Sequence, residues 1–228
     1  MSETPESMIV EHVLDAISDQ RLRAGTKLGE QALSDLFSCN RAHVRRALAT
    51  LAAYQVVELI PNRGAFVATP SEAEARDVFQ ARRAIEATII RNVVRRADER
   101  DLATLRAHVD EEDAVRNEND RPKAIRASRA FHMLLARIGR NTVLEKYLSE
   151  LTMRTSLIIG LYGSSQASLC ADDEHRRIVD AVADRDEARA QRVVDTHLRH
   201  IEAEIEFGRE RPRVGPLSVI FQPGATVE

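Results

Sequence analysis

The sequence predicts a mainly α-helical protein in which β-structure is confined to two short strands within the first 70 residues. Ala, Arg, Leu, Val, Glu and Asp dominate the 228 residues, and tryptophan is absent; this composition favours helices. Apolar residues recur at the i, i+3, i+4, i+7 spacing of an amphipathic helix along most of the chain. The pattern changes at Thr69-Pro70 and again after Gly208. We therefore expect an N-terminal domain of residues 1–70, an all-helical domain of residues 71–208, and an extended or disordered tail of residues 209–228.

The N-terminal domain combines three helices with a β-hairpin. Apolar spacing predicts a first helix over about residues 8–19, and a second, short amphipathic helix begins near Glu30. A third helix follows Asn40, which is a suitable N-cap. Two strands, residues 56–60 and 65–69, flank a Pro61–Gly64 turn in which Gly64 can adopt a positive φ. Helix, turn, helix and hairpin in this order are typical of a winged helix-turn-helix that reads duplex DNA.

The third helix presents arginines on the face opposite its apolar stripe. Arg41 and Arg45 lie together there with the small Ala42, whereas Val44 and Leu48 face the core. An arginine fork can hold guanine O6 and N7 or a phosphate, and an alanine allows close approach. Residues 40–64 hold four arginines, one histidine and a single acid, although the whole chain has a net charge of −3. The predicted DNA-contacting residues are Asn40, Arg41, Ala42, His43, Arg45, Arg46, Asn62, Arg63 and Gly64. The alternative is that these arginines form only a solvated helix face.

The region after Pro70 is predicted to form an antiparallel bundle of six helices. Ser71 and Glu74 have the spacing of a capping box that opens the first helix, and Pro122 suits the first turn of a later one. The first predicted helix opens at Ser71 and carries the stripe Val78, Ala81, Ile85, Thr88 and Ile89. The others cover about residues 99–117, 122–138, 142–163, 172–184 and 187–207.

Three histidines occupy inward-facing positions on three of these helices. His132, His175 and His197 each lie on the apolar stripe of their own helix, where a core residue would be expected. Neutral imidazole is a common ligand of Zn²⁺ and similar ions, and a bundle can aim several imidazoles at one point. We therefore predict a divalent metal site. A metal-free histidine cluster, hydrogen-bonded to an anion or to water, is the alternative.

Composition also limits the compartment. No apolar stretch approaches the roughly 18 residues of a membrane span, and the N-terminus lacks a signal-peptide core. Cys39 and Cys170 are far apart and show no metal-binding spacing, so we expect reduced thiols in a cytoplasmic protein.

Leu28 to Ala68 resembles the winged helix-turn-helix of GntR-type bacterial transcription regulators. The matching residues are Leu33, Arg41, Val44, Arg45, Ala47, Leu48, Leu51, Asn62, Arg63, Gly64, Phe66 and Val67. The chain departs from the pattern at Asn40, Arg46 and Gln55, and Gln31 stands where some relatives carry a DNA-contacting arginine. The helical region resembles the FCD domain of the FadR-like branch. That resemblance rests on Arg82 with Glu86, Phe131-His132, Gly139 with Asn141, Glu174-His175, and His197.

The resemblance implies a homodimer that binds a near-palindromic operator, with half-sites roughly 34 Å apart. It also implies a small organic acid as effector, bound beside a metal, with repression relieved by the effector as the default. Ser128 stands where many relatives carry a metal-binding Asp, which should weaken the affinity for Zn²⁺ or Ni²⁺.

The candidate effector contacts are Arg82, Ser128 and Arg154. Arg82 could instead form only an ion pair with Glu86, and Arg154 could extend to solvent. A metal-dependent hydrolase that uses the three histidines is the competing function, and a DNA-binding protein with a vestigial sensor pocket is a third.

Overall fold

A computed structural model describes residues 4–118, 120–163, 173–208 and 216–221. In chain order the elements are α1 (Pro5–Ser18), β1 (Lys27–Leu28), α2 (Glu30–Leu36), α3 (Arg41–Ala53), β2 (Val57–Ile60), β3 (Gly64–Val67), α4 (Glu72–Arg96), α5 (Glu99–Asn117), α6 (Arg121–Ile138), α7 (Thr142–Tyr162), α8 (Glu174–Ala183), α9 (Glu187–Ala203) and α10 (Leu217–Ile220). The predicted fold class is confirmed: a winged helix-turn-helix precedes a bundle of six helices, α4–α9.

The wing is a three-stranded antiparallel sheet with the order β1-β3-β2. Asn62 and Gly64 adopt positive φ angles of 58° and 99° in the turn between β2 and β3, as the sequence predicted for Gly64. The prediction of two strands was incomplete because β1 contains only Lys27 and Leu28. Two residues are too few to show the alternation that identifies a strand.

Side-chain caps fix the starts of the functional helices. The Asn40 side chain accepts a hydrogen bond from the His43 backbone N–H at 3.0 Å and begins α3. Ser71 and Glu74 form the predicted capping box of α4. These bonds satisfy backbone N–H groups that the first helical turn leaves without a partner, so the direction of each helix is set locally.

One apolar core joins the winged region to the bundle. Residues of α1, α3 and the wing pack with Met153, Leu157 and Leu161 of α7. Gly160 allows the closest approach, since a Cβ added there would lie 2.7 Å from Ile17 Cγ2. The C-terminal half of α1 is therefore tightly held against α7.

The chain differs from the prediction near its C-terminus. The last long helix ends at Ala203 rather than near Phe207, because Ile205 pairs with Gly163 in an isolated β-bridge. Leu217–Ile220 forms the short helix α10, whereas the sequence predicted an extended or disordered tail from Arg209. Ile220 is buried in the N-terminal core, which explains this helix.

Two further predictions concern residues outside the bundle core. Cys39 is a free, half-buried thiol, and Cys170 lies outside the described residues. Among the described helices, none combines the length and the apolar character needed to cross a bilayer.

Candidate functional site

The outward face of α3 carries the predicted arginine cluster. The side chains of Arg41, Arg45 and Arg46 are 52%, 63% and 57% exposed, and Ala42 between them is also exposed. The predicted wing residues Asn62, Arg63 and Gly64 are likewise exposed at the β2–β3 turn. The fold therefore leaves both elements free to approach a duplex.

Carboxylates from two other helices contact these arginines, which the sequence analysis missed. Glu30 at the start of α2 accepts hydrogen bonds from Arg41 Nη2 and Arg45 Nε, both at 2.9 Å. Glu6 of α1 accepts from Arg46 Nε at 2.6 Å and lies 2.9 Å from His43 Nδ1. These contacts with His43 and Arg46 lower the pKa of Glu6 to about 2. Ion pairs this exposed are worth little in water, so phosphate groups can replace them.

The second candidate site lies inside the bundle, where α6, α8 and α9 meet. His132, His175 and His197 are 0%, 2% and 0% exposed. His197 Nε2 lies 3.2 Å from Nε2 of both other histidines, and one ligand atom of each falls within 4.8 Å of the others. The structure thus brings the three predicted histidines together around one point.

Each of these imidazoles is backed by its own buried carboxylate. The Nδ1 atoms of His132, His175 and His197 lie 2.6, 2.7 and 2.7 Å from carboxylate oxygens. The partners, in the same order, are Glu86 of α4, Glu112 of α5 and Glu174 of α8. An ionised carboxylate only accepts hydrogen bonds, so we assign the imidazole proton to Nδ1 in all three residues.

That assignment leaves three Nε2 lone pairs facing one another without a proton between them. A cation at their centre would satisfy all three, and a carboxylate behind each ligating imidazole is the usual outer shell of a zinc site. Burial lowers the pKa of His132 to about 3 and that of His197 to about 4, which keeps both imidazoles neutral. The donor set therefore fits a divalent metal such as Zn²⁺ or Ni²⁺.

Of the three carboxylates, the sequence analysis associated none with the histidines. Glu112 comes from a different helix and lies 63 residues before His175, so nothing in the local pattern indicates it. Glu174 points away from its neighbour His175 and instead reaches His197 of α9. Glu86 was considered only as the partner of Arg82; the structure shows it contacting both Arg82 and His132.

A small cavity lies one helical turn from the histidine cluster. Its lining residues include Arg82, Ser128 and Arg129. The other lining residues are Ile125, Thr152, Thr155, Ser156, Ile159 and Ile201. The cavity volume is about 20 Å³, enough for roughly one water molecule.

Arg82 connects this cavity to the histidines. Its buried Nε donates to Glu86 Oε1 at 2.6 Å, and the other oxygen of Glu86 contacts His132. The ion pair that was the alternative for Arg82 is therefore present, and Arg82 still lines the cavity. Burial by itself would raise the pKa of Glu86, but His132 and Arg82 together lower it to about 2.

The structure does not bring Arg154 to this cavity. Thr155 and Ser156 of α7 face it, whereas Arg154 lines a separate cavity of about 210 Å³ together with Gln55 and Glu74. Successive helical residues are about 100° apart, so Arg154 points toward the wing instead. Arg154 thus lies apart from Arg82 and Ser128, whereas Arg129 lines the same cavity as they do, and the assignment of Arg154 as an effector contact stays a prediction.

Comparisons with known proteins support both regions. Residues 5–67 match the family described as bacterial regulatory proteins, gntR family, and residues 77–200 match the FCD domain. The chain is 26% identical over 208 residues to "HTH-type transcriptional regulator LutR" of Bacillus subtilis (strain 168), covering 82% of this chain and 94% of that protein.

Two solved structures share the fold. "E. coli McbR/YncC" has a TM-score of 0.73 at 16% identity and covers 89% of this chain and 97% of its own. A putative transcriptional regulator GntR from Rhodococcus sp. RHA1 has a TM-score of 0.70 at 22% identity, covering 90% and 99%. At these identities the similarity establishes the architecture alone.

Proposed function

The chain belongs to the gntR family of bacterial regulatory proteins and carries an FCD domain, and we propose that this transcriptional regulator represses its targets as an effector-controlled homodimer. Two copies of α3 would enter successive major grooves of a near-palindromic operator in the bacterial cytoplasm. A small organic acid would bind in the helical domain beside a divalent metal and reduce operator affinity.

The observation that carries the DNA-binding part is the exposed arginine face of α3. Arg45 uses only Nε for Glu30, so its two terminal nitrogens remain available for guanine O6 and N7. Asn40, His43 and Arg46 lie at the start of the same helix, where backbone N–H groups favour a phosphate. Arg63 at the wing tip would contact the neighbouring minor groove or a phosphate.

The metal part rests on the donor set. His132, His175 and His197 would hold the ion, and Glu86, Glu112 and Glu174 would orient the imidazoles. Ser128 supplies no charge where many relatives are expected to supply an Asp, so we expect an open coordination position. A metal there would act as a Lewis acid that attracts the carboxylate of an effector, while Arg82 supplies a second positive group.

Arg45→Ala tests the DNA-binding part. An operator sequence is first selected from a library of random DNA duplexes by binding to the full-length protein. The affinity of each variant for this operator is then measured by fluorescence anisotropy at a fixed salt concentration. We expect Arg45→Ala to cost about 1–3 kcal/mol, as for one bidentate base contact. The matched control is Arg95→Ala, which removes an equally exposed arginine of α4. Equal affinities of the two variants would contradict the base-reading assignment.

Elemental analysis tests the metal part. The protein as purified should contain zinc or nickel, and His197→Asn should abolish its uptake because His197 is central to the cluster. A wild-type protein that contains no metal, and takes up neither ion when it is added, would leave the metal-free histidine cluster as the correct description.

The competing function was a metal-dependent hydrolase. Nothing in the comparisons supports it, since the matched families and the curated relative are regulators. The three carboxylates beside the histidines are engaged by the Nδ1 atoms, which suits ligand orientation better than proton abstraction. Turnover of ester, amide or lactone substrates by the metal-loaded protein would reverse this choice.

A further inference from the structure

Arg129 of α6 touches both the effector cavity and the DNA-binding region. Its side chain is 17% exposed, and Arg129 lines the same cavity as Arg82. Its Nη2 atom lies 3.4 Å from Glu11 Oε1 of α1, and Nη1 lies 2.9 Å from Met153 Sδ. One guanidinium thus bridges the proposed ligand site and the first helix of the winged region.

The cavity cannot accept an organic acid without moving a wall. At about 20 Å³ it has room for roughly one water molecule. Most of its polar walls are fixed. Arg82 is held by the buried Glu86, and the hydroxyls of Thr155 and Ser156 donate to backbone carbonyls of α7. Arg129 is held less firmly, because its partners are the thioether sulfur of Met153, a weak acceptor, and the 40% exposed Glu11 at 3.4 Å.

Glu11 lies near the middle of α1, between Ile9 and Val13, which are buried in the core of the winged region. The C-terminal end of the helix is anchored where Gly160 packs against Ile17. The N-terminal end carries Glu6, which contacts His43 and Arg46 of the recognition helix α3. A change in how Glu11 is held would therefore be transmitted to the residues that face DNA.

We propose that Arg129 is the effector-responsive link. An acidic group entering the cavity takes the Arg129 guanidinium from Glu11, removes this contact between α1 and the bundle, and lowers operator affinity through the shift of α1 that follows. This inference rests on the proposed function. Carboxylate and guanidinium form a charge-assisted pair that is stronger in the partly buried cavity than at the surface. The acid therefore has the differential affinity that coupling requires.

The chain offers a matched control on the same two helices. Arg126 of α6 forms an ion pair with Asp15 of α1, but Arg126 does not line the cavity. Glu11→Gln and Asp15→Asn each remove one carboxylate charge from α1 and one ion pair to α6. General electrostatics would raise DNA affinity equally in both, because each variant loses one negative charge.

The experiment measures operator affinity of wild type, Glu11→Gln and Asp15→Asn, using the operator that wild type selects. Each is measured alone and with acetate, succinate or citrate at constant ionic strength. We expect Glu11→Gln to bind the operator about fivefold or more weakly without any acid and to lose most of its response to acid. Asp15→Asn should stay within about twofold of wild type.

Thermal-shift titration with the same acids provides a readout independent of DNA. Without Glu11 the guanidinium has no competing carboxylate, so Glu11→Gln should bind acid more tightly than Asp15→Asn. Arg129→Gln should bind acid more weakly than either.

The outcomes separate the two proposals. If wild type binds its operator but Glu11→Gln behaves like Asp15→Asn in both assays, the link is wrong and the regulator assignment stands. If wild type selects no operator, the proposed function fails. The link then fails as well, even if Glu11→Gln binds acid more tightly, because the link predicts a change in operator affinity.

Discussion

Glu112→Gln is the sharpest test of how the histidine cluster works, because it changes one charge and almost no volume. Glu112 is buried, and its Oε2 accepts the Nδ1 proton of His175 at 2.7 Å. Glutamine can still accept that proton through its amide oxygen. The substitution removes the negative charge that polarises the His175 imidazole, and with it the charge that faces His108, whose Nε2 lies 3.7 Å from Glu112 Oε1.

The expected size of the effect follows from that contact. A charge-assisted hydrogen bond is about twice as strong as a neutral one, and the loss of such a partner behind a ligating histidine typically costs 10–100-fold in metal affinity. We therefore expect zinc affinity to fall by about 1.4–2.7 kcal/mol. Burial by itself would raise the pKa of Glu112, but the paired His108 and His175 lower it to about 2, so the carboxylate charge is present at neutral pH.

The assay is a zinc competition against a chromophoric chelator with metal-free protein at neutral pH. The control is Glu111→Gln, which makes the same chemical change at the adjacent exposed position of α5. Circular dichroism melting establishes that both variants are folded. If Glu112→Gln binds zinc within about twofold of Glu111→Gln, the carboxylate does not tune the metal ligand, and the reasoning from the paired imidazoles is refuted.

Two further predictions concern stability and are measured by urea unfolding. Gly160→Ala should destabilise the protein by about 1–3 kcal/mol, since the new Cβ would lie 2.7 Å from Ile17 Cγ2. Gly29→Ala, whose nearest neighbour would be at 3.8 Å, should cost less, because it loses only the preference of the α2 N-cap for glycine. Asn40→Ala should cost about 1 kcal/mol by removing the cap of α3, whereas Asn40→Ser should retain most of it. Equal effects within either pair would contradict the corresponding packing or capping explanation.

The helices could be predicted because the spacing of apolar residues along each of them shows which face is buried. The apolar stripe of α3 gave its buried face, and Asn40 and Ser71 gave helix starts that the structure retains. The short elements were not predictable by this route. Neither β1 nor α10 is long enough to show a period, and both are held by contacts with residues distant in the chain.

The histidine site likewise combines residues that the local pattern reveals with residues that only the tertiary structure brings together. The three histidines could be found because each lies on the apolar stripe of its own helix. Their carboxylate partners could not, since the pairing of Glu112 with His175 depends on which helices become neighbours. The surroundings of Arg154 could not be predicted for a related reason. A charged residue on an otherwise apolar helix indicates that a polar environment faces it. The sequence does not show whether that environment is the cavity or the wing.

Helix α6 is the element through which metal, effector and DNA would be coupled. Ser128 lines the cavity, Arg129 reaches Glu11 of α1, and His132 faces the other two histidines. Arg129 and His132 are three residues apart, a rise of roughly 4.5 Å, on a helix that moves as a rigid unit over that distance. An ion that fixes His132 would therefore also restrict where Arg129 can lie. We expect the response of operator binding to acid to differ between zinc-loaded and zinc-free protein, and an identical response would mean that the two sites act independently.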